Sequence, residues 1–137
     1  MKTKTKVKKK KLPSIVFLKR KAQRCFNNYI RQRDSSNGFF TCIACGKLLP
    51  ISKMHAGHML SVKGNNKLRY NRYNVNGECI SCNAFNESHL IWYAIHLKEK
   101  IGDVEFANLL NEAANKDTTE WTREELNNII TEYKSFT

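Results

Sequence analysis

Two pairs of cysteines are spaced to bind one metal ion. Cys42 and Cys45 form the first pair and Cys79 and Cys82 the second, each with two residues between its members. Such pairs let one tetrahedral ion take all four sulfurs, which leaves no open position for a substrate. We therefore expect a structural Zn²⁺ that contributes folding energy and no chemistry. Four of the five cysteines lie in these pairs, which favours metal thiolates in a reducing cytoplasm over disulfides.

Side chains that suit a harder cation lie between and after the cysteine pairs. An imidazole with a nearby amide or carboxylate could hold Mg²⁺ or Mn²⁺ and leave water positions for a phosphate. A second imidazole would then be available as a general base, and one metal plus one histidine is the smallest set that hydrolyses a phosphodiester. The candidates are His55, His58, Asn83, Asn86, Glu87 and His89.

Positive charge is concentrated near the N-terminus. The chain has 24 Lys and Arg against 12 Asp and Glu, a net charge of +12, and thirteen of the cations precede the first acid, Asp34. Such a segment favours a polyphosphate partner, because each neutralised phosphate releases counterions. Nucleic acid is the first candidate for this partner. The cations expected to contact it, on the first helix and in the loop before the second cysteine pair, are Lys19, Arg20, Arg24, Lys63, Lys67, Arg69 and Arg72.

No apolar run approaches the roughly 18 residues that a membrane span requires. We therefore expect an unsecreted cytoplasmic protein without a membrane partner.

Apolar periodicity indicates which elements position these residues. It predicts an amphipathic helix from Ile15 to Arg33, on which Cys25 fills the core. Cysteines, Gly46 and Pro50 interrupt the next segment, so we expect only brief strands there, at 39–42 and 54–60, and then a short turn at 76–78. A capping box at Thr122 opens the last helix. Helices are predicted over 82–100, 104–114 and 122–133.

The order of these residues resembles that of HNH nucleases, which have a histidine in a strand and an asparagine five residues before the second cysteine pair. His58 and Asn74 occupy these positions. More specifically, the chain resembles the lambdoid-phage NinG (Rap) recombination nucleases over about residues 18–136. The shared motifs are Ala56-Gly57-His58, Leu68-Arg69-Tyr70-Asn71, Cys79 to Asn83, Lys100-Ile101-Gly102 and Trp121 to Glu125.

The resemblance implies a role for each matching residue. It makes His58 the general base, Asn74 the amide that orients that imidazole or the loop, and Asn83 a ligand of the catalytic cation. The family usually has Asp three residues before the catalytic histidine, and this chain has His55 there. Because imidazole is softer and neutral, we predict a metal preference shifted from Mg²⁺ toward Mn²⁺, Ni²⁺ or Zn²⁺.

A second departure follows the second cysteine pair. The family tends toward a small Ser-Gly-Asn turn where this chain has Glu87-Ser88-His89. Glu87 and His89 are therefore further candidate ligands of the catalytic cation.

The expected architecture is a mostly helical α+β fold. Residues 1–13 form a basic arm that we expect to be disordered, and residues 14–137 form a single HNH-like nuclease domain. A zinc-stapled ββα-metal centre at about residues 39–100 follows an N-terminal basic helix, and C-terminal helices occupy 104–135.

The resemblance also implies the substrate, branched DNA such as Holliday junctions and D-loops, cut in a bacterial host by a phage or prophage product. Symmetric cutting of a four-way junction needs two active sites, so we expect a homodimer, with the acidic C-terminal helices as its interface. A recombinase partner is compatible with this setting, but no motif supports one.

Two other interpretations remain open. A non-catalytic zinc module would bind nucleic acid and cleave nothing under any divalent metal, with His55 and His58 as packing residues. An HNH restriction or homing nuclease would instead cut plain duplex at a defined sequence.

Overall fold

The computed structural model describes residues 6–85 and 89–136. Within the N-terminal arm, residues 6–13 are exposed and belong to no helix or strand, while residues 1–5 lie outside the described part. Disorder of the arm therefore stays a prediction.

The first helix has the predicted bounds. Helix α1 (Ile15–Arg33) begins where Ser14 Oγ accepts a hydrogen bond from the Phe17 amide at 3.1 Å, the usual way to satisfy an N-terminal helix donor. Its apolar stripe faces a core, as the periodicity predicted, and Cys25 belongs to that stripe. The buried residues are Leu18, Ala22, Cys25, Phe26 and Ile30.

The last helix packs against the first. Helix α5 (Arg123–Tyr133) opens with the predicted capping box, in which the Glu125 amide donates to Thr122 Oγ1 and the Thr122 amide donates to Glu125 Oε2. The rings of Phe26 and Tyr133 meet edge to face with centroids 5.1 Å apart. The core between the helices therefore depends on aromatic packing as well as aliphatic burial.

The cysteine-containing segment is a small antiparallel meander of three strands. Strands β1 (Ser35–Ser36), β2 (Phe39–Thr41) and β3 (Leu48–Pro50) pair in that order. Of these strands the sequence predicts only β2, which has three residues, as does β3, while β1 has two. Asn37 and Gly38 both have positive φ, at 53° and 80°, so this dipeptide makes the tight turn between β1 and β2.

A second, separate hairpin consists of β4 (Met54–His58) and β5 (Val75–Cys79), paired antiparallel. The prediction of a turn at 76–78 was wrong, since these residues are the middle of β5. Asn76 Nδ2 donates to Tyr93 Oη at 3.2 Å, and the Gly77 amide donates to Asp34 Oδ2 at 2.8 Å. Contacts from distant parts of the chain thus override the weak strand propensity of these residues.

Helices cover the hairpin on both faces. Helices α2 (Ile80–Phe85), α3 (His89–Ile101) and α4 (Asp103–Ala114) follow β5. The predicted helix over 82–100 corresponds to parts of α2 and α3, and residues 86–88 between them lie outside the described part. Ala56 and Val75 belong to the α1–α5 core, whereas Tyr93 of α3 donates a 2.6 Å hydrogen bond to the Gly57 carbonyl.

The architecture is the predicted α+β fold, in which helices hold more residues than strands. A second core, between α3, α4 and the meander, includes Phe40, Leu97 and Leu109 together with three of the paired cysteines. Among the described residues, no helix combines the length and hydropathy that crossing a bilayer would require.

Candidate metal centre and histidine site

The four paired cysteines converge on one point, as their spacing predicted. Their Sγ atoms all lie within 4.8 Å of one another, and those of Cys45 and Cys79 are 4.0 Å apart. A tetrahedral ion with Zn–S bonds of about 2.3 Å needs sulfurs about 3.8 Å apart. The four-thiol donor set and its spacing therefore fit a structural Zn²⁺.

Local backbone geometry prepares the sulfurs for a metal. The amides of Cys45 and Cys79 donate to Cys42 Sγ at 3.5 and 3.2 Å, and the Cys82 amide donates to Cys79 Sγ at 3.4 Å. Such N–H groups stabilise the thiolate charge that a metal ligand carries. Gly46, with φ of 73°, lets the first turn close, and its amide donates to the Cys42 carbonyl at 2.9 Å.

His89 lies at the cysteine cluster. Its Nδ1 is 2.5 Å from Cys82 Sγ, so the first residue of α3 contacts one of the four sulfurs. The sequence makes His89 and Glu87 further candidate ligands of a catalytic cation, and that role stays a prediction. Glu87 lies outside the described residues.

His55 and Asn83 meet, although 28 positions separate them. His55 is an exposed residue of β4 and Asn83 an exposed residue of α2, and Asn83 Nδ2 lies 3.0 Å from His55 Nδ1. The oxygen and nitrogen of an asparagine amide can exchange places by a flip of the group. After such a flip, one cation could take the imidazole nitrogen and the amide oxygen together. The two residues predicted to share a cation are thus adjacent.

His58 does not face this pair. It is three residues from His55 in one strand, and alternation directs the two side chains to opposite faces of the hairpin. His58 Nε2 lies 2.9 Å from the Arg69 carbonyl oxygen. Because a carbonyl oxygen only accepts, Nε2 carries the proton and Nδ1 keeps the lone pair.

The surroundings of His58 favour the neutral imidazole. Burial lowers the pKa of His58 from its ordinary value, the positive charge of Arg69 lowers it further, and the hydrogen bond to the Arg69 carbonyl offsets part of the effect. A neutral imidazole with a lone pair is the form that a general base requires.

Asn74 braces the loop between the two strands. Its side chain is fully buried. Asn74 Oδ1 accepts from the Leu60 amide at 2.8 Å, and Asn74 Nδ2 donates to the carbonyls of Leu60 and Leu68 at 3.0 and 3.3 Å. Of the two roles considered for this amide, the structure shows contacts to the loop.

Sequence analysis missed Glu78, which pairs directly with His55 across the hairpin. Glu78 is only 6% exposed, and burial raises the pKa of its carboxyl group to about 7. No spacing rule in the sequence indicated this residue, because the prediction of a turn at 76–78 concealed the pairing of β4 with β5. A strand prediction for that segment could have found it.

A charged network ties α1 and α3 to the hairpin. Asp34 accepts hydrogen bonds from Arg33 Nε at 2.7 Å, from Lys100 Nζ at 3.0 Å and from the Gly77 amide at 2.8 Å. Burial alone would raise the pKa of Asp34, but its hydrogen bond to Arg33, the Arg33 and Lys100 charges and the Gly77 amide together lower it. The carboxylate therefore stays charged and fixes strand β5 against the end of α1.

The cations predicted to bind DNA fall into two groups. Four are exposed and enter no ion pair with other described residues: Lys19, Arg20, Arg24 and Lys63. The remaining three contact the protein itself, although Arg72 is exposed as well. Lys67 Nζ donates to the Asn115 carbonyl at 3.4 Å, and Arg69 Nη1 donates to Gln23 Oε1 at 3.3 Å. Arg72 Nη2 forms a 2.5 Å ion pair with Glu132. DNA binding by either group stays a prediction.

One family of known proteins is similar to this chain over its whole length. The family model described as Bacteriophage Lambda NinG protein matches residues 1–137. Protein ninG of Escherichia phage lambda is 30% identical over 131 residues, which cover 96% of this chain and 61% of the relative. Protein ninG of Salmonella phage P22 has the same identity and coverage. That of Escherichia phage 933W is 29% identical over 133 residues, covering 97% of this chain and 63% of the relative.

The chain thus spans about three fifths of the length of these curated relatives. No solved structure shows significant similarity to it. Because the family model extends over every residue, the chain belongs to the NinG family.

Proposed function

We propose that this protein is a metal-dependent DNA endonuclease that hydrolyses phosphodiester bonds in branched recombination intermediates such as Holliday junctions and D-loops. Membership of the NinG family supports this proposal together with the HNH-like order of histidine, asparagine and cysteine residues. The observation that carries it is the meeting of His55 and Asn83 at 3.0 Å beside the four-cysteine cluster. A saturated zinc site alone would need no such exposed pair of nitrogen and oxygen donors.

The cysteine cluster and the exposed pair would have different tasks. A structural Zn²⁺ would join the meander, β5 and α2 through the four cysteines. His55 and Asn83 would hold a hard or borderline cation, which stabilises charge on the leaving oxygen when bound. The exposed cations of α1 and the loop would hold the phosphate backbone.

His58 is the proposed general base. Its imidazole is neutral and its Nδ1 carries the lone pair, as proton abstraction from water requires. His58 is the last residue of β4, and its side chain and that of His55 point to opposite faces of the hairpin. The proposal therefore requires the scissile phosphate to lie across the end of β4, so that both imidazoles reach it.

Cleavage assays on matched variants test this function. Zinc-loaded wild type, His55→Ala and His58→Ala are compared on labelled four-way junction, D-loop and linear duplex, with Mg²⁺ or Mn²⁺. His96→Ala is the control, because His96 Nδ1 also lies 2.6 Å from a backbone carbonyl oxygen, that of Ile43. We expect wild type and His96→Ala to cut branched DNA and spare duplex, and the two site variants to bind junctions and cut at least about 100-fold more slowly.

A non-catalytic zinc module that binds nucleic acid is the second candidate. It is favoured by His58 and Asn74, whose described contacts are to backbone atoms of one loop. This candidate becomes the better account when the wild type binds junctions but cuts no substrate with any divalent metal. Cleavage of plain duplex at a defined sequence would instead indicate a restriction or homing activity.

A further inference from the structure

Glu78 and His55 lie on the same face of the hairpin. They are direct partners in the β4–β5 register, and directly opposite residues in an antiparallel pair have Cβ atoms about 4.5–5.5 Å apart. His55 in turn contacts Asn83. Glu78 and Asn83 therefore both adjoin His55, and the three side chains together comprise oxygen and nitrogen donors.

Gly57 makes room for the Glu78 carboxylate on this face. A Cβ added at Gly57 would lie 2.1 Å from Glu78 Oε2 and 2.9 Å from Glu78 Cβ. Such distances are far inside van der Waals contact, so a larger residue would displace the acid. Because Gly57 has no side chain, the Glu78 carboxylate can lie over β4, two residues along the strand from His55.

The Glu78 carboxylate has no ion pair or hydrogen bond within residues 6–85 and 89–136. Glu78 is nevertheless only 6% exposed, and its carboxyl oxygens are not among the fully buried polar atoms that lack a hydrogen-bond partner. Enclosing a carboxylate to this extent raises the free-energy cost of its charge, which a bound cation would offset. The exposed His55–Asn83 pair beside it leaves a route by which a cation can enter from solvent.

We propose that Glu78 is a third ligand of the divalent cation at His55 and Asn83, a role that rests on the proposed cation site of the nuclease. The set combines a carboxylate, an amide oxygen and an imidazole nitrogen. Mixed donors of this kind suit Mn²⁺. Glu78 binds the cation directly and so contributes to the affinity of the site for that cation.

Binding of Mn²⁺ to the zinc-loaded chain of residues 1–137 tests this assignment without DNA. The free Mn²⁺ signal in electron paramagnetic resonance gives the affinity of wild type, Glu78→Gln and His55→Ala. Glu112→Gln is the matched control, because Glu112 is an exposed acid of α4. We expect Glu78→Gln and His55→Ala each to weaken Mn²⁺ binding at least about tenfold, and Glu112→Gln to leave it unchanged. Wild-type affinity in Glu78→Gln would overturn the proposal, as would a wild type that binds no Mn²⁺.

A second measurement does not depend on the variant folding. In the wild type, Mn²⁺ should broaden the amide resonances of His55, Glu78 and Asn83 before that of Glu112, because paramagnetic relaxation is steepest near the ion. Broadening that spares Glu78 contradicts its role as a ligand.

Failure of this inference can be told from failure of the proposed function. If Glu78→Gln weakens Mn²⁺ binding but the wild type cuts no DNA, the cation site stands and the nuclease proposal falls. If the wild type cuts junctions and Glu78→Gln binds Mn²⁺ equally well, only the assignment of Glu78 falls.

Discussion

At the scale of single residues, His58 makes stability depend on pH. Burial and the Arg69 charge hold the pKa of folded His58 below the ordinary 6.5. The unfolded chain therefore takes up a proton that the folded protein resists. The contribution of His58 to the free energy of unfolding should be fully present above about pH 6.5. It should be lost as the pH falls through the folded pKa of His58.

His58→Gln tests this linkage. Glutamine keeps an N–H donor for the Arg69 carbonyl but cannot titrate. We expect the variant to lose less stability than wild type in urea unfolding between about pH 7.5 and about pH 5.5. His96→Gln, the same exchange at another carbonyl-bonded histidine, controls for the substitution itself. An unchanged pH slope in His58→Gln would show that other groups cause the pH dependence.

At the scale of elements, the cysteine cluster joins pieces that are too short to be stable alone. It connects the turn after the three-residue strand β2 to β5 and to the six-residue helix α2. Two backbone amides also donate to Cys42 Sγ. We expect Cys42→Ser to lose the bound zinc and cooperative unfolding, because a structural zinc site contributes folding energy directly.

Cys25→Ser is the matched control for Cys42→Ser. Cys25 is buried on α1, in the core shared with α5, and it is not among the four clustered cysteines. Its replacement buries a hydroxyl group and should therefore lower the free energy of unfolding by about 1–3 kcal/mol. The variant should still bind one zinc per chain. Native mass spectrometry counts the zinc and thermal unfolding reports cooperativity. Zinc bound to Cys42→Ser at wild-type stoichiometry would refute the four-cysteine assignment.

Elements with local signals were predictable from the sequence. Ser14 and the Thr122 capping box mark the starts of α1 and α5. The helical repeat of apolar residues then indicates how far each helix extends. The cysteine cluster was predictable because two pairs with two residues between their members are typical of a site in which four sulfurs bind one metal ion. Strand β5 was not, because it depends on Asp34 and Tyr93, which are distant in sequence.

The candidate site shows the same division. The sequence pattern predicted that His55 and Asn83 share a site, and they are adjacent in the structure. It did not indicate Glu78, whose place beside His55 follows only from strand register. The opposite orientations of His55 and His58 follow from strand alternation, a rule that the motif comparison does not include.

At the scale of the whole molecule, α1 is fixed to the hairpin that carries the candidate site. Arg31 donates to the carbonyls of Met54 and Ile51 at 2.7 and 3.1 Å, and Arg33 donates to the Val75 carbonyl at 2.8 Å. Arg31 thus differs from the exposed cations of α1, because its guanidinium binds the hairpin. DNA held by the exposed side of α1 would therefore keep a constant position relative to β4.

The salt dependence of DNA binding separates cations that contact phosphate from those that stabilise the fold. Arg24 is exposed on α1, whereas Arg72 pairs with Glu132, donates to Tyr133 Oη at 2.9 Å and lies 5.5 Å from the centroid of the Tyr29 ring. We expect Arg24→Ala to weaken binding to junction and duplex alike and to reduce the slope of log K against log salt by about 1.

Arg72→Ala should instead leave that slope unchanged and lower the melting temperature, because its guanidinium links the loop before β5 to α5. Fluorescence anisotropy at a series of salt concentrations gives the slopes, and calorimetry gives the melting temperatures. A reduced slope in Arg72→Ala with an unchanged melting temperature would mean that DNA displaces Glu132. The basic surface would then extend from α1 across the loop to the last helix.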